Sequence, residues 1–209
     1  MKNLQHNLKK VSKQPSFVER IESLHPHMTM LILGLLGTTL VFLFLLIGYY
    51  LTKQPFADMP FPKAFTLSTA MIVISSFVIN HAVYNFEDDR IYGIRNSLLA
   101  TVILGSLFTI FQIYGWIELY FQGFSIEGYV GSNTFLYLLT GLHFVHLVFG
   151  MYFMIRELIR VQKMTKDEIK YIVYITDPYE KLKLKMVKTF WHFLDGIWVG
   201  IFFAFTFVF

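Results

Sequence analysis

Five stretches of this chain run for about twenty residues or more with almost no charge, and they decide what it can fold into. A helix rises about 1.5 Å per residue and a bilayer core is about 30 Å thick, so each stretch is long enough to cross a membrane. The predicted spans are 28–51, 64–83, 94–119, 132–155 and 186–209. The first holds no ionisable residue, the second only His81, and the third starts at Arg95 and ends at Glu118. The fourth holds His143 and His146; the fifth holds Lys188, His192 and Asp195. The expected fold is therefore an all-α integral membrane protein, a five-transmembrane-helix bundle over 28–209, preceded by a basic segment over 1–27. Composition agrees, with 55% hydrophobic and 15% charged residues against about 25% charged in a soluble domain.

Charge placement orients the bundle. Every Lys and Arg except Lys53 and Lys63 falls on one side, nine of them between spans four and five. The positive-inside rule then predicts a cytoplasmic N-terminus, a cytoplasmic Arg156–Lys188 segment and a C-terminus on the outer, periplasmic face. The formal charge of +4 is thereby explained as membrane orientation and needs no nucleic-acid partner. Because the first apolar run is a full span with no small-residue cleavage site after it, it reads as a retained anchor.

There is no cysteine, so this chain has no disulfide, iron–sulfur cluster, thiolate zinc site, thiolate-bridged copper pair or cysteine nucleophile. No phosphate-cradling glycine loop and no GxSxG motif supports nucleotide or hydrolase chemistry. Ser16 to Leu24 carries a Ser16–Glu19 capping box and apolar residues at helical spacing, and reads either as a short interfacial helix or as a disordered basic tail. The Lys53–Lys63 loop, with Pro55, Pro60 and Pro62, reads as an external turn, and Tyr171 to Ile175 reads as β-prone.

Ionisable groups inside a membrane are costly and face a partner or a polar cavity. His143 and His146 share a helix face at i, i+3, as do His192 and Asp195. Counted from the Lys/Arg-rich end, His146 lies about 15 Å and Asp195 about 14 Å deep, so the two are expected at one level between spans four and five. Two readings compete. In one, His143, His146, His192 and His81 ligate haem or a metal; in the other, the group is a hydrogen-bonded cluster that locks helices together, with Asp195 accepting from His or Trp. Glu87, Asp88 and Asp89, with Arg90 and Arg95, read either as proton-collecting carboxylates or as a solvated turn. Gly34, Gly37, Thr38 and Thr39 give span one a small-residue face that admits a close neighbour.

Trp191-His192-Phe193-Leu194-Asp195 with Trp198, and Thr140-Gly141-Leu142-His143-Phe144-Val145-His146 with Gly150, resemble the two signature helices of subunit III of the haem-copper terminal oxidases. The resemblance extends to Glu87 and Arg90, to Gln112, Trp116 and Glu118, and to Gly128, Gly131 and Ser132, covering roughly 28–209. It implies the five-helix bacterial form in the bacterial inner membrane. It also implies a non-redox accessory subunit of a proton-pumping oxidase that passes electrons from cytochrome c to O₂, the alternatives being a quinol oxidase subunit and a haem-b electron-transfer subunit. The expected partners are subunit I in direct contact, subunit II, a small subunit IV, membrane phospholipid and a larger respiratory supercomplex. Haems and copper are expected in those partners and none in this chain, with bound phospholipid as its companion. The resemblance makes His143, His146, Arg160, Trp191, His192 and Asp195 candidates for lipid or helix-interface contacts, with Arg160 where an Arg meets a lipid phosphate. Two departures stand out: span one lacks the buried Glu of many relatives, and Gly115 stands where relatives often carry Glu.

Overall fold

A computed structural model describes residues 25–52, 63–123 and 132–207. The capping-box segment, the proline loop, and Gly128 and Gly131 lie outside the described residues. Among the described residues there are six helices: α1 (Pro26–Thr52), α2 (Lys63–Glu87), α3 (Ile91–Phe121), α4 (Ser132–Met164), α5 (Glu168–Thr176) and α6 (Pro178–Phe207). All but α5 are long and apolar enough to cross a bilayer, and no strand occurs among the described residues. This is a multi-pass membrane helical bundle.

The chain punctuation explains most boundaries. Pro26 and Pro178 open their helices at the first helical position, where a missing N–H costs nothing. The side chain of Asp177 accepts from the Tyr179 N–H at 2.8 Å, and that of Asp167 accepts from Ile169 and Lys170 N–H at 3.1 and 3.4 Å. Between α2 and α3 the chain reverses in three residues, with Asp89 in the left-handed region at φ 55° and Arg90 N–H returning to the Asn85 carbonyl at 2.8 Å.

Two corrections to the sequence expectation concern the Lys/Arg-rich side. The β-prone run Tyr171 to Ile175 is helical, because the Asp167 cap starts a helix there and Tyr171 and Tyr174, one turn apart, both turn inward. Second, α4 continues to Met164, α6 begins at Pro178, and α3 starts at Ile91. Helical hydrogen bonding does not stop where the apolar run does.

The buried positions of α2 (Ser68, Ile72, Ser75, Ile79, Ala82, Phe86) and α3 (Ile94, Leu98, Thr101, Gly105, Phe108, Gln112, Gly115, Leu119) step by alternating fours and threes. That 3.5-residue period keeps one seam facing its neighbour along the helix, the pattern of left-handed supercoiled packing. The α2–α3 hairpin is accordingly the most extensive contact in the bundle. Around it, α3 packs on α4, α4 on α1, α1 on α6 and α6 on α2, closing a ring that the α4–α6 contact bridges. The short helix α5 sits against α4 and α6 at the Lys/Arg-rich end. Close approach needs small residues at several points. A Cβ on Gly115 would collide with the Phe65 ring, and one on Gly105 would lie 2.7 Å from the Trp191 indole.

Candidate functional site

The polar side chains of α6 converge on α2. The Trp191 indole N–H donates to Ser75 Oγ at 3.0 Å, and the Trp198 N–H donates to Thr69 Oγ1 at 2.9 Å. Each hydroxyl in turn donates to a carbonyl of its own helix, Ser75 to Ile72 at 2.7 Å and Thr69 to Phe65 at 2.7 Å. A hydroxyl has one hydrogen to give and lone pairs to receive, so this arrangement uses both functions. Gln112 repeats it from α3, donating to Ser68 Oγ at 3.0 Å, and Trp116 donates to Thr140 Oγ1 at 3.2 Å on α4.

His192 completes the seam. Its Nδ1 lies 2.6 Å from Ser76 Oγ and its Nε2 lies 3.0 Å from Asn80 Oδ1. Because the Asn80 amide nitrogen donates to the Ser76 carbonyl at 3.1 Å, Asn80 presents its oxygen to the imidazole. Nε2 therefore carries the hydrogen, and Nδ1 accepts from Ser76. Both ring nitrogens are engaged, so His192 keeps no free lone pair for a metal in this arrangement.

The remaining candidates do not assemble into one cluster. His143, 1% exposed, stacks beside Trp198 at 5.3 Å between ring centroids and meets the edge of Phe108 at 6.0 Å. Neither of its nitrogens finds a protein partner. His146 turns toward α1, with Nδ1 donating to the Leu142 carbonyl at 2.8 Å and its ring against Phe42 at 5.8 Å. Asp195 is buried beside Ser76, with neither oxygen in a hydrogen bond of ordinary geometry. The expected meeting of His146 with Asp195 is thus not made by hydrogen bonding, because the two project from their helices toward different neighbours. His81 is exposed near Tyr84, bonding only back to the Phe77 carbonyl at 3.1 Å. Among the described residues, no group of three or more His, Asp or Glu side chains converges as metal ligands do.

At the Lys/Arg-rich end a second set of polar groups gathers. Glu87 pairs with Lys181 at 3.0 Å, while Asp88 and Asp89 stand exposed in the α2–α3 turn. The Tyr171 hydroxyl donates to the Asp89 carbonyl at 2.6 Å, tying that turn to α5. Arg160 pairs with Glu180 at 3.1 Å and keeps a partly exposed side chain. The Tyr174 hydroxyl donates to Glu157 Oε1 at 3.2 Å. Burial and the adjacent Glu157 carboxylate push the Tyr174 phenol above the ordinary tyrosine range, so it remains a donor.

Sequence reading missed Ser75, Ser76, Asn80 and Thr69 as hydrogen-bond partners for α6, and Glu157, Tyr174 and Glu180 as a buried group. The heptad steps through Ser68 and Ser75 were a usable signal for the first set. Nothing local in the sequence marks the second, because it depends on α5 folding back.

The model for cytochrome c oxidase subunit III matches residues 54–209, beginning after α1. A probable cytochrome c oxidase subunit 3 from Nocardia farcinica is 30% identical over 142 residues, 67% of this chain and 64% of that protein. The Rickettsia prowazekii counterpart is 30% identical over 158 residues, 76% of this chain and 49% of that protein. That from Mycobacterium leprae is 26% identical over 180 residues, 83% and 84% of the two chains. The matched region thus spans about half to two thirds of the first two relatives. Its span of 156 residues takes in α2 through α6, including every helix that contributes to the polar seam, and on that match the chain belongs to the cytochrome c oxidase subunit III family.

Proposed function

We propose that this chain is a non-redox accessory subunit of a proton-pumping terminal oxidase, with cytochrome c as electron donor and O₂ as acceptor. It sits in the bacterial inner membrane with its Lys/Arg-rich side in the cytoplasm. The observation that carries this reading is how the seam uses its polar groups. The indoles and the His192 imidazole are consumed in joining α6 to α2, which is packing chemistry rather than ligand or electron chemistry. In this reading the bundle lies beside subunit I, with subunit II, a small subunit IV and a larger supercomplex further out, and those subunits carry haem and copper.

Two features support the accessory roles. An apolar groove of about 550 Å³ between α1 and α4, lined by Val41, Leu45, Leu138, Gly141 and Val145, suits an acyl chain. His146 lies on the adjoining α1–α4 contact and the partly exposed Arg160 lies toward the Lys/Arg-rich end. In this reading the exposed carboxylates Glu87, Asp88 and Asp89 on that same side collect protons. The small-residue face of α1 is open, with nothing within 4 Å of a Cβ built on Gly34 or Gly37, and there a helix of another subunit takes the place of the two helices the longer family members carry.

The test is purification in mild detergent through an N-terminal tag, read by visible spectrum and by mass spectrometry of the partners. Haem a-type or o-type bands with a large twelve-helix partner are expected. A co-purifying subunit II with a cysteine copper site fixes cytochrome c as donor, and one without it replaces that donor by quinol. A b-type Soret band retained by this chain alone would overturn the accessory reading.

A further inference from the structure

Glu157 on α4 and Glu180 on α6 are each more than nine-tenths buried, 6% and 7% exposed, at the Lys/Arg-rich end of the bundle. They lie close enough for their charges to oppose one another. Burying one carboxylate is costly, and burying two side by side is tolerated only with enough donors. The donors are few and unevenly spread. Arg160 at 3.1 Å and Lys183 at 3.0 Å both reach the same oxygen, Glu180 Oε1. Glu157 receives only the Tyr174 hydroxyl, at 3.2 Å. Glu180 Oε2 is inaccessible and has no hydrogen-bond partner. The Glu180 residue lines a cavity of about 260 Å³ together with Arg160, Lys170, Tyr174 and Asp177.

The charge around the pair is also limited. Lys183 is shared with the Tyr179 ring, 4.4 Å away, and Lys170 is taken by Asp167 at 2.9 Å. Facing the two carboxylates are thus Arg160 from α4, Lys183 from α6 and Tyr174 from α5, and the tyrosine is neutral. One further hydrogen on either carboxyl group would give the pair a donor of its own and remove the repulsion between them, as in other carboxylates that share a site.

We propose that Glu157, buried beside the ion-paired Glu180 and given only the neutral Tyr174 hydroxyl as donor, is a proton-binding site whose protonation keeps α5 docked on α4 and α6. The site stands whatever the chain's partners are; its use as a proton store on the side where an oxidase draws protons rests on the function proposed above. The direction of its pH dependence follows. Undocking α5 hydrates Glu157 and returns its carboxyl toward the ordinary glutamate range near about 4.3. The docked state binds the proton more tightly, so docking is strongest in acid and weakens by up to about tenfold per pH unit as pH rises, until the docked site has lost its proton.

The experiment uses the full chain, purified with whatever complex it carries, in two measurements. Infrared difference spectra between neutral and alkaline pH, in H₂O and D₂O, should show a carboxylic-acid carbonyl stretch that shifts in D₂O, disappears in alkali and is missing from Glu157→Gln. Amide hydrogen exchange across 168–176, corrected for intrinsic chemistry, should lose protection as pH rises in the wild type and keep it in Glu157→Gln, whose amide donates at every pH. Identical acid bands in the wild type and Glu157→Gln would mean an ionised Glu157 and would overturn the site. Wild-type protection of α5 that ignores pH would overturn its link to docking. Because neither readout is turnover, the proton-binding site stands or falls independently of the oxidase reading.

Discussion

At the scale of single residues, the bundle depends on pairing something large with something small. Trp191 fills the space that Gly105 leaves on α3, while its N–H occupies Ser75 on α2. Those two functions can be separated by mutation. Trp191→Phe removes the donor and the outer indole ring, and a hydrogen bond between membrane helices is worth about 0.6 kcal/mol on average. Gly105→Ala instead forces a methyl against a fully buried ring, an overpacking that costs about 1–3 kcal/mol. The usual helix-propensity gain of alanine does not offset this, since the helix persists in the membrane when tertiary contacts are lost. We expect Gly105→Ala to destabilise the bundle in the wild-type background and to cost less beside Trp191→Phe, where the Met151 sulfur, 2.8 Å from the same Cβ, still resists it; a double-mutant cycle on thermal unfolding in detergent would read this coupling. Additive effects would show that the indole can move aside.

At the scale of elements, α5 is the one that sequence patterning misreads, for a physical reason. Tyr, Ile and Val have high strand propensity, yet propensity is weak against a good cap and a burial site. Asp167 supplies the cap, and Tyr174 supplies the anchor. Removing the cap with Asp167→Ala should loosen α5 locally, speeding proteolysis between 165 and 177 while the melting of the five long helices stays unchanged. A Lys170 hydrogen bond, with the backbone N–H groups behind it, holds the Asp167 carboxyl below the usual aspartate range. Its capping is therefore present above the ordinary aspartate value and is lost only as pH falls through the lowered one, so mild acid should leave α5 in place. The long helices are readable because an apolar run in a membrane has one outcome. The choice among their polar residues is not, because His146 and Asp195 differ in direction rather than depth. Direction is set by how five helices rotate against one another, and no single span records it.

For the whole molecule, order in space departs from order along the chain. The first span, α1, packs against α4 and α6 and has no substantial contact with α2, while only a small share of its own surface is buried. It is also the most apolar of the five, and α6 is the least. Measured one at a time in a microsomal insertion assay, α1 should integrate nearly completely and α6 only in part, with α6 rescued when α2 precedes it in the same polypeptide. Equal insertion of both alone would argue that their difference in polarity has no bearing on assembly. During synthesis α1 has to wait in lipid until the fourth and sixth helices have been made, and it carries no charged group that would make the wait costly. The last helix arrives with its histidine, aspartate and tryptophans to find serine, asparagine and threonine already waiting on α2. The order of synthesis is thus matched by the polarity of α1 and α6: the one made earlier tolerates solitude, and the one made later is built to be received.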